Sequence, residues 1–281
     1  MKLIRNIALI KNEIKKAKKK NRKIGLVPTM GYLHDGHISL IKRAARECDY
    51  VVLSIFINPS QFGPSEDYLR YPKNIKRDLG IAKKAKVDIV FAPSAKIMYK
   101  NGHQTCVSVE KLGTCLCGIK RPAHFKGVAT VVSKLFNIIE PDIAYFGQKD
   151  AQQAIIIDTM VKDLNMPIKL KILPIVREKD GLAMSSRNIY LRKADRANAI
   201  ILYKSLQQAK RMIASGVKNA NTIIHTIRKV IKSTPRAKID YISILSSKDL
   251  EPVKRLKGKI LIALAVYFGK TRLIDNIIIT I

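Results

Sequence analysis

Acidic residues are scarce in this chain of 281 residues, which has 21 Asp and Glu against 53 Lys and Arg, a formal net charge of +32. Tryptophan is absent, and the few aromatic residues are not interleaved with the basic runs. Proteins that bind single-stranded nucleic acid stack bases on such aromatic side chains. We therefore expect no specific nucleic-acid partner, and only non-specific polyanion binding at low salt. The alternative, a nucleic-acid-binding protein, predicts a steep dependence of binding on salt.

Long apolar runs are also missing. The longest, such as Lys259–Val266, are far shorter than the roughly 20 residues that cross a bilayer. The N-terminal stretch 1–10 is basic and apolar, but Arg5 and Asn6 interrupt it and no small-residue cleavage site follows. We expect neither a membrane span nor a signal peptide.

Cysteines are few, and their spacing does not suggest a metal site. Cys115 and Cys117 lack the two-residue gap usual for zinc, and no second Cys or His pair lies close to them in sequence. Cys48 and Cys106 stand alone. We interpret all four as reduced, structural thiols of a cytoplasmic protein.

Apolar strands alternate with helical patterns between residues 22 and 176, which predicts a doubly wound, Rossmann-like α/β domain with a parallel sheet. The predicted strands are 24–27, 50–57, 87–91, 105–109, 142–146 and 168–173. The predicted helices are 2–20, 38–47, 73–85, 128–139 and 151–164. The N-terminal domain is thus expected to span residues 1–176.

The pattern changes in the last hundred residues. Two helices are predicted at 194–214 and 219–232, followed by strands at 239–245, 259–268 and 271–280. The last two strands are joined at Gly269–Lys270, a hairpin signal. Residues 177–281 therefore predict a smaller C-terminal α+β domain.

A loop of mixed character connects the predicted strand 24–27 to the predicted helix 38–47. It runs from Val27 to His37 with the sequence Val-Pro-Thr-Met-Gly-Tyr-Leu-His-Asp-Gly-His. Gly31 and Gly36 permit close approach of a ligand. We interpret the stretch as an anion site, because exposed backbone N–H groups and the helix dipole would point at the ligand. His34 and His37 could donate hydrogen bonds to phosphoryl oxygens. Metal binding is the rival interpretation, but no carboxylate or cysteine has a convincing spacing.

Polar, glycine-bearing loops follow the strands at 28–37, 58–64, 147–150 and 177–187. Ligands of such sheets bind beyond the carboxyl ends of the strands, so we expect these loops to form one site. Lys149 could bind phosphate and Asp150 could accept from ribose hydroxyls. Met184–Arg187 offers two hydroxyls and a guanidinium, a set suited to polyphosphate. The alternative for each loop is a plain surface turn.

Three further polar side chains are candidates for the site. Gln61 and Gln153 are neutral amides that could hold a small polar substrate. Asp78 lies on a charged predicted helix, where a solvated side chain is the simpler interpretation and a magnesium ligand the other.

Taken together and in this order, these segments resemble the pantothenate synthetase (pantoate–β-alanine ligase) family of the nucleotidylyltransferase superfamily. The resemblance covers nearly the whole chain and is carried by Pro28–His37, Ile57–Gly63, His124–Val132, Tyr145–Gln153 and Asp180–Asn188. His34 to His37 matches the superfamily's His-x-Gly-His signature. Met184 to Arg187 stands where the superfamily has its second, mobile phosphate-binding loop.

The resemblance implies a two-step ligation that uses ATP and magnesium. The carboxylate of pantoate attacks the α-phosphorus, which gives pantoyl adenylate and pyrophosphate. The amine of β-alanine then attacks the activated acyl group and releases AMP. The resemblance also implies a homodimer, with residues 1–176 binding ATP and pantoate and residues 177–281 closing over the nucleotide. A sister nucleotidylyltransferase, which leaves a stable nucleotidyl product and no AMP, is the alternative enzyme.

The resemblance also implies roles for individual residues. His37 would be the catalytic proton donor and transition-state stabiliser beside His34, with Lys149 and Arg187 offsetting the repulsion between two anions. ATP would be bound by Met30, Gly31, Tyr32, Leu33, His34, Asp35, Gly36, His37, Gly147, Gln148, Lys149, Asp150, Val176, Met184, Ser185, Ser186 and Arg187. Gln61 would hold pantoate and β-alanine, Gln153 would hold pantoate, and Asp78 is the candidate ligand for Mg²⁺.

Three residues depart from the family pattern. Gln148 stands where Glu is usual, Lys126 where Arg is common, and Cys117 where Glu commonly precedes the glycine. The first two positions flank the nucleotide and the dimer-side loop, so they put the affinity for substrates in question more than the chemistry.

Overall fold

A computed structural model describes residues 1–64 and 66–281. These residues form two compact units. The first contains Met1–Gly147 and Ile156–Pro174, and the second contains Gln148–Ile155 and Ile175–Ile281. The division differs from a single cut at residue 176, because the short segment 148–155 groups with the C-terminal residues. No helix within the described ranges is long and apolar enough to cross a membrane.

The first unit is built on a sheet of six parallel strands in the order β1-β4-β3-β2-β5-β6, counted over the described residues. The strands are β1 (Lys2–Ile4), β2 (Ile24–Thr29), β3 (Tyr50–Ile55), β4 (Ile89–Phe91), β5 (Ile143–Gly147) and β6 (Lys169–Leu173). The predicted parallel, doubly wound sheet is confirmed. Strand order reverses at β2, so the carboxyl ends of β2 and β5 mark the switch point where such sheets bind ligands.

Helices cover both faces of this sheet. They are α1 (Ile7–Lys19), α2 (Asp35–Glu47), α3 (Ile75–Lys84), the short α4 (Ala95–Met98), α5 (Glu110–Gly113) and α6 (Cys117–Lys120), then α7 (His124–Ile139) and α8 (Ala151–Asp163). In β2, Leu26 belongs to the core cluster beneath α1 and α7, whereas Val27 belongs to the cluster beneath α2 and α3. Successive side chains thus enter opposite cores, which explains why the strands read as unbroken apolar runs.

Two predicted elements of this unit are wrong. Residues 2–20 do not form one helix, because Lys2–Ile4 pair with β4 as an edge strand. The side chain of Asn6 accepts from the N–H groups of Ala8 and Leu9, and this cap starts α1 at Ile7. Residues 105–109, all of them described, form no strand.

The second unit packs helices against an antiparallel sheet in the order β7-β8-β9. Its strands are β7 (Ala237–Ser246), β8 (Lys259–Phe268) and β9 (Thr271–Thr280), and its helices are α9 (Lys193–Ala199), α10 (Ile201–Ala214) and α11 (Ala220–Lys232). The predicted β8–β9 hairpin at Gly269–Lys270 is present. The helix predicted over 194–214 is divided into α9 and α10.

Candidate active site

The histidine pair lies at the start of α2, which begins three residues earlier than expected. His34 is the N-cap residue, and its Nδ1 accepts a hydrogen bond from the Gly36 N–H at 3.2 Å. The backbone N–H of His34 donates to Nδ1 of His37 at 3.3 Å. The two rings lie 4.0 Å apart between centroids, with 33° between their planes.

These contacts determine which ring nitrogen carries the proton. Nδ1 is the acceptor in both histidines, so each neutral imidazole carries its proton on Nε2. Nε2–H is therefore the group that each ring can offer to a phosphoryl oxygen as negative charge develops. The local fold of α2 thus favours the tautomer with the proton on Nε2.

Several backbone N–H groups of the Val27–His37 loop are not free to bind an anion, unlike the exposed N–H groups that the sequence suggested. The N–H of Gly31 donates to Oγ1 of Thr29 at 3.2 Å. The N–H groups of Tyr32 and Leu33 donate to the two carboxylate oxygens of Asp78, at 2.7 Å and 2.9 Å. Together with the bonds at residues 34 and 36, this means that five N–H groups of the loop already have partners within the protein. For these five residues the structure differs from the exposed N–H groups that the sequence suggested.

Asp78 is a structural anchor of the loop rather than a solvated residue. The residue is 1% exposed and lies in the first turn of α3. The neighbouring Arg77 donates to the Leu33 carbonyl at 2.8 Å and lies over the Tyr32 ring at 5.0 Å. Gly31 and Tyr32 have φ angles of +84° and +50°. The contacts with residues 77 and 78 hold these left-handed conformations, which are uncommon for a residue such as tyrosine.

The residues do not fit a magnesium site built by the protein. Both oxygens of Asp78 accept backbone N–H groups. Nowhere in the described ranges do three or more His, Cys, Asp or Glu side chains come together in a way that could hold a metal ion. Mg²⁺ usually binds through substrate phosphates and keeps several waters, so it would be part of the ATP substrate.

A second polar cluster follows β3 and contains Gln61. The amide nitrogen of Asn58 donates to Oε1 of Gln61 at 3.2 Å and to the Gly127 carbonyl at 3.0 Å. Nε2 of Gln61 donates to the sulfur of Met30 at 3.1 Å. Gln61 is 7% exposed, so its amide is oriented by neighbours on two sides. The structure therefore brings Gln61 together with Met30, the first residue of the predicted ATP loop.

Sequence reasoning did not identify Tyr99 as a support for Gln61, and it named His124 only as the first residue of the motif His124–Val132. Tyr99 donates to Oδ1 of Asn58 at 2.8 Å, and burial raises the pKa of this phenol, which keeps it protonated. The ring of His124 contacts the Gln61 carbonyl at 2.8 Å. These partners come from elements distant in the chain, so no local pattern could reveal them.

The Arg121–Glu66 ion pair braces the same segment. Nε of Arg121 donates to Glu66 at 2.9 Å, and Nη2 of Arg121 donates to the Gln61 carbonyl at 3.4 Å. Burial acts to raise the pKa of Glu66, but the hydrogen bonds and positive charge of Arg121 outweigh it, so the pKa lies below its ordinary value. Glu66 is therefore ionised in the folded protein near neutral pH.

In the second unit, the predicted turn is a short 3-10 segment, Gln148–Asp150, that runs into α8. Lys149 is mostly buried, with 20% of its side chain exposed and Nζ 3.9 Å from Oδ1 of Asp150. Gln153, on the first turn of α8, is half-buried. These three residues and Gln148 belong to the second unit, whereas Gly147 ends β5 of the first.

The remaining predicted nucleotide residues lie on a hairpin-like loop of the second unit. Arg177 and Ala183 form an antiparallel bridge, and the N–H of Met184 donates to the Val176 carbonyl at 3.0 Å. Ser185 then caps a 3-10 turn, and its hydroxyl accepts from the Arg187 N–H at 3.3 Å. Met184 thus leads directly into a capped 3-10 turn that contains Ser186 and Arg187.

Comparison with known proteins agrees with this arrangement of motifs. A family model described as pantoate–β-alanine ligase matches residues 2–278. The chain is 53% identical to a pantothenate synthetase of Acetivibrio thermocellus over 281 residues, which cover 100% of both chains. It is also 53% identical to a pantothenate synthetase of Thermoanaerobacter pseudethanolicus, with 97% of this chain and 96% of that protein covered.

Solved structures show the same likeness. The crystal structure of pantothenate synthetase from Thermus thermophilus superimposes with a TM-score of 0.94 at 40% identity, covering 99% of both chains. The pantoate–β-alanine ligase of Francisella tularensis, complexed with beta-gamma ATP and β-alanine, superimposes with a TM-score of 0.80 at 37% identity. That match covers 99% of this chain and 97% of the Francisella chain.

Proposed function

Because the chain belongs to the pantoate–β-alanine ligase family, and is thus a ligase that forms a carbon–nitrogen bond, we propose that it condenses pantoate with β-alanine by way of pantoyl adenylate. ATP supplies the adenylyl group, pyrophosphate leaves in the first step, and AMP leaves in the second. The complex of the Francisella relative with beta-gamma ATP and β-alanine supports these two compounds as substrates.

The observation that carries the proposal is the histidine pair at the N-terminus of α2, in which Nδ1 of each ring accepts a backbone N–H and Nε2 carries the proton. In the first step the pantoate carboxylate attacks the α-phosphorus, and negative charge accumulates on the phosphoryl oxygens. Nε2–H of His37 donates to that charge, with His34 beside it and the positive end of the α2 dipole beneath both. His37 is the catalytic proton donor and transition-state stabiliser of this proposal.

Gln61 is the proposed substrate-binding residue of the first unit, for both pantoate and β-alanine. Its Nε2–H bonds to the thioether of Met30, and a thioether is only a weak acceptor. A carboxylate or hydroxyl oxygen of the substrate would be a stronger acceptor, so exchanging partners costs little. Its Oε1 stays oriented by Asn58. Gln153 is proposed to bind pantoate.

Residues of the second unit are proposed to neutralise the phosphates. Lys149 and Arg187 carry the positive charge, and Gln148, Asp150, Val176 and Met184 to Ser186 complete the proposed nucleotide contacts. When bound to the ATP phosphates, Mg²⁺ would add positive charge at the reacting oxygens. We further propose a cytoplasmic homodimer, as the resemblance to the family implies; sedimentation of the purified protein tests the oligomeric state.

The test of the proposed function is ATP–pyrophosphate exchange with magnesium present. Exchange is expected only when pantoate is added, and amide product with AMP only when β-alanine is added as well. His37→Ala is expected to lower exchange by about 10²–10⁴-fold, the usual contribution of a positioned proton donor. His225→Ala, an exposed histidine on α11, is the matched control and should be active. A folded wild type that shows neither exchange nor amide would sink the proposal.

Product analysis separates the other enzyme class. A sister nucleotidylyltransferase would accumulate a stable nucleotidyl compound and release no AMP. A nucleic-acid-binding role would instead show a sequence or structure preference and a steep salt slope.

A further inference from the structure

Two adjacent polar residues interrupt the apolar strand β9. Asp275 and Asn276 are 2% and 3% exposed and lie between apolar residues in the middle of the strand. Burying a carboxylate and an amide is costly unless their hydrogen bonds are satisfied. Both side chains are satisfied, and each contacts a different loop of the second unit.

Asn276 holds the turn that carries Lys149. Its amide nitrogen donates to the carbonyls of Gln148 and Lys149, at 3.0 Å each. Its Oδ1 accepts from Nε2 of Gln148 at 3.2 Å. Two consecutive peptide groups of the turn are therefore oriented by a single side chain that lies 127 residues from Lys149 in sequence.

Asp275 holds the start of the loop that leads to Arg187. Its two oxygens accept from the guanidinium of Arg177, at 2.7 Å and 2.9 Å, and Arg177 also donates to the Gly181 carbonyl at 3.0 Å. Burial raises the pKa of the Asp275 carboxyl, while Arg177 and the Asn276 N–H favour its charged form. Arg177 further lies over the Tyr203 ring at 4.7 Å, so its position is closely restricted.

Successive side chains of a strand point to opposite faces, which explains how neighbouring residues can reach two loops. Asp275 shares its face with Leu273 and Ile277, which belong to the core under the helices. Asn276 points to the other face, where the 148–150 turn lies within the same unit.

We infer that Asp275 and Asn276 are positioning residues for ATP, one for each of two loops that carry proposed phosphate-binding cations. This inference rests on the proposed function of Lys149 and Arg187. Neither residue needs to contact ATP, because each acts through the backbone or guanidinium that it holds.

The test compares the KM for ATP with the KM for pantoate in the exchange assay. Asn276→Asp keeps the size of the side chain but places an oxygen against the carbonyls of residues 148 and 149, which disfavours the native turn. We expect the KM for ATP to rise about tenfold or more, while the KM for pantoate stays within twofold. Asp275→Asn, which leaves Arg177 without its carboxylate, should raise the KM for ATP in the same selective way.

Asp240→Asn is the matched control. Asp240 is on β7, has 2% of its side chain exposed, and pairs with Arg272 of β9 at 2.8 Å. This buried ion pair joins two strands of the same sheet rather than a strand to a loop. The control should lower the melting temperature but keep the KM for ATP within twofold of wild type.

The outcomes decide between positioning and a general structural role. Equal changes in the KM for ATP in Asn276→Asp and Asp240→Asn, at equal loss of melting temperature, would overturn the inference. Should Asn276→Asp fail to fold, Asn276→Ser is the second variant. If that variant also unfolds while Asp240→Asn folds, Asp275 and Asn276 stabilise the second unit as a whole, and the inference is wrong.

Direct titration of ATP by calorimetry separates this inference from the proposed function. A wild type that binds ATP but gives no pantoate-dependent exchange would defeat the proposed function alone. Wild type and Asn276→Asp with the same ATP affinity would defeat the positioning role alone.

Discussion

The turns after β2 and β5 both lead from a parallel strand into a helix, yet they are held by opposite hydrogen-bonding groups. In the first, the carboxylate of Asp78 accepts the N–H groups of Tyr32 and Leu33. In the second, the amide of Asn276 donates to the carbonyls of Gln148 and Lys149. The first turn carries the two imidazoles and the second carries a lysine, the side chains to which the proposed function assigns the chemistry.

The contrast shows that a turn from strand to helix can be fixed through its N–H groups or through its carbonyl groups. A phosphate-binding loop of the usual kind offers free N–H groups, but in the first turn three N–H groups donate to Thr29 and Asp78 and two more donate to the histidine pair. The predictions below test how firmly each turn depends on its partners.

The largest effect is expected for Asp78→Asn, which replaces one carboxylate oxygen with an NH₂ group that faces a buried N–H. One donor then lacks an acceptor, and we expect the free energy of unfolding to fall by about 3 kcal/mol, with loss of exchange activity. Urea denaturation measures the stability. Asp158→Asn, which removes an exposed i,i+4 pair with Lys162, should cost about 0.5 kcal/mol or less. Equal losses in the two variants would show that Asp78 does not anchor the first loop.

Gly181→Ala tests the loop of residues 177–187 in the second unit. Gly181 has a φ of +97°, and an added Cβ would lie 2.1 Å from the Tyr203 ring. Strain from the φ angle and from overpacking should together cost about 2 kcal/mol. Gly216→Ala is the control, because its φ is +94° with nothing within 4 Å of the added atom. It should cost only about 1 kcal/mol in thermal or urea unfolding. Similar values for both would mean that Tyr203 moves aside freely.

Glu66→Gln tests the ion pair that braces Gln61. The folded-state pKa of Glu66 lies below its ordinary value, so its contribution is present above the unfolded-state pKa and is lost as pH falls through the folded-state value. We expect the variant to lose about 1 kcal/mol at pH 7, and the difference from wild type to shrink as pH falls below about 4. Unfolding curves at pH 7, 5 and 3 measure this. A difference that is independent of pH would exclude the ion pair as its cause.

The smallest effect is expected for Gly80→Ala, within α3, the helix that carries Asp78. Nothing lies within 4 Å of the added Cβ, and the φ angle is not positive. Alanine reduces the freedom of the unfolded chain and should stabilise the protein by about 0.5–1 kcal/mol. Exchange activity should not change. A destabilised variant would indicate that α3 is held in a conformation that Gly80 is needed to reach.

Several features could be predicted from local sequence. The continuous apolar run of β3, flanked by helical patterns, indicated a parallel strand covered on both faces, and the β8–β9 hairpin followed from Gly269–Lys270. The polar pair Asp275–Asn276 inside an apolar strand was a signal that could have been used, because buried polar residues need partners. Helix boundaries were less certain, since the start of α2 depends on the capping contacts of His34.

The chain by itself determined the strand–helix alternation, the order of the motifs and the residue types in each loop, because these depend on side-chain periodicity and turn chemistry over a few neighbouring residues. Only the tertiary structure decided what each loop offers to a ligand. Asp78 meets Tyr32 across 46 residues, and Asn276 meets Gln148 across 128. Hydrogen bonds over such separations leave no local pattern, yet they decide which backbone groups of each loop are already satisfied.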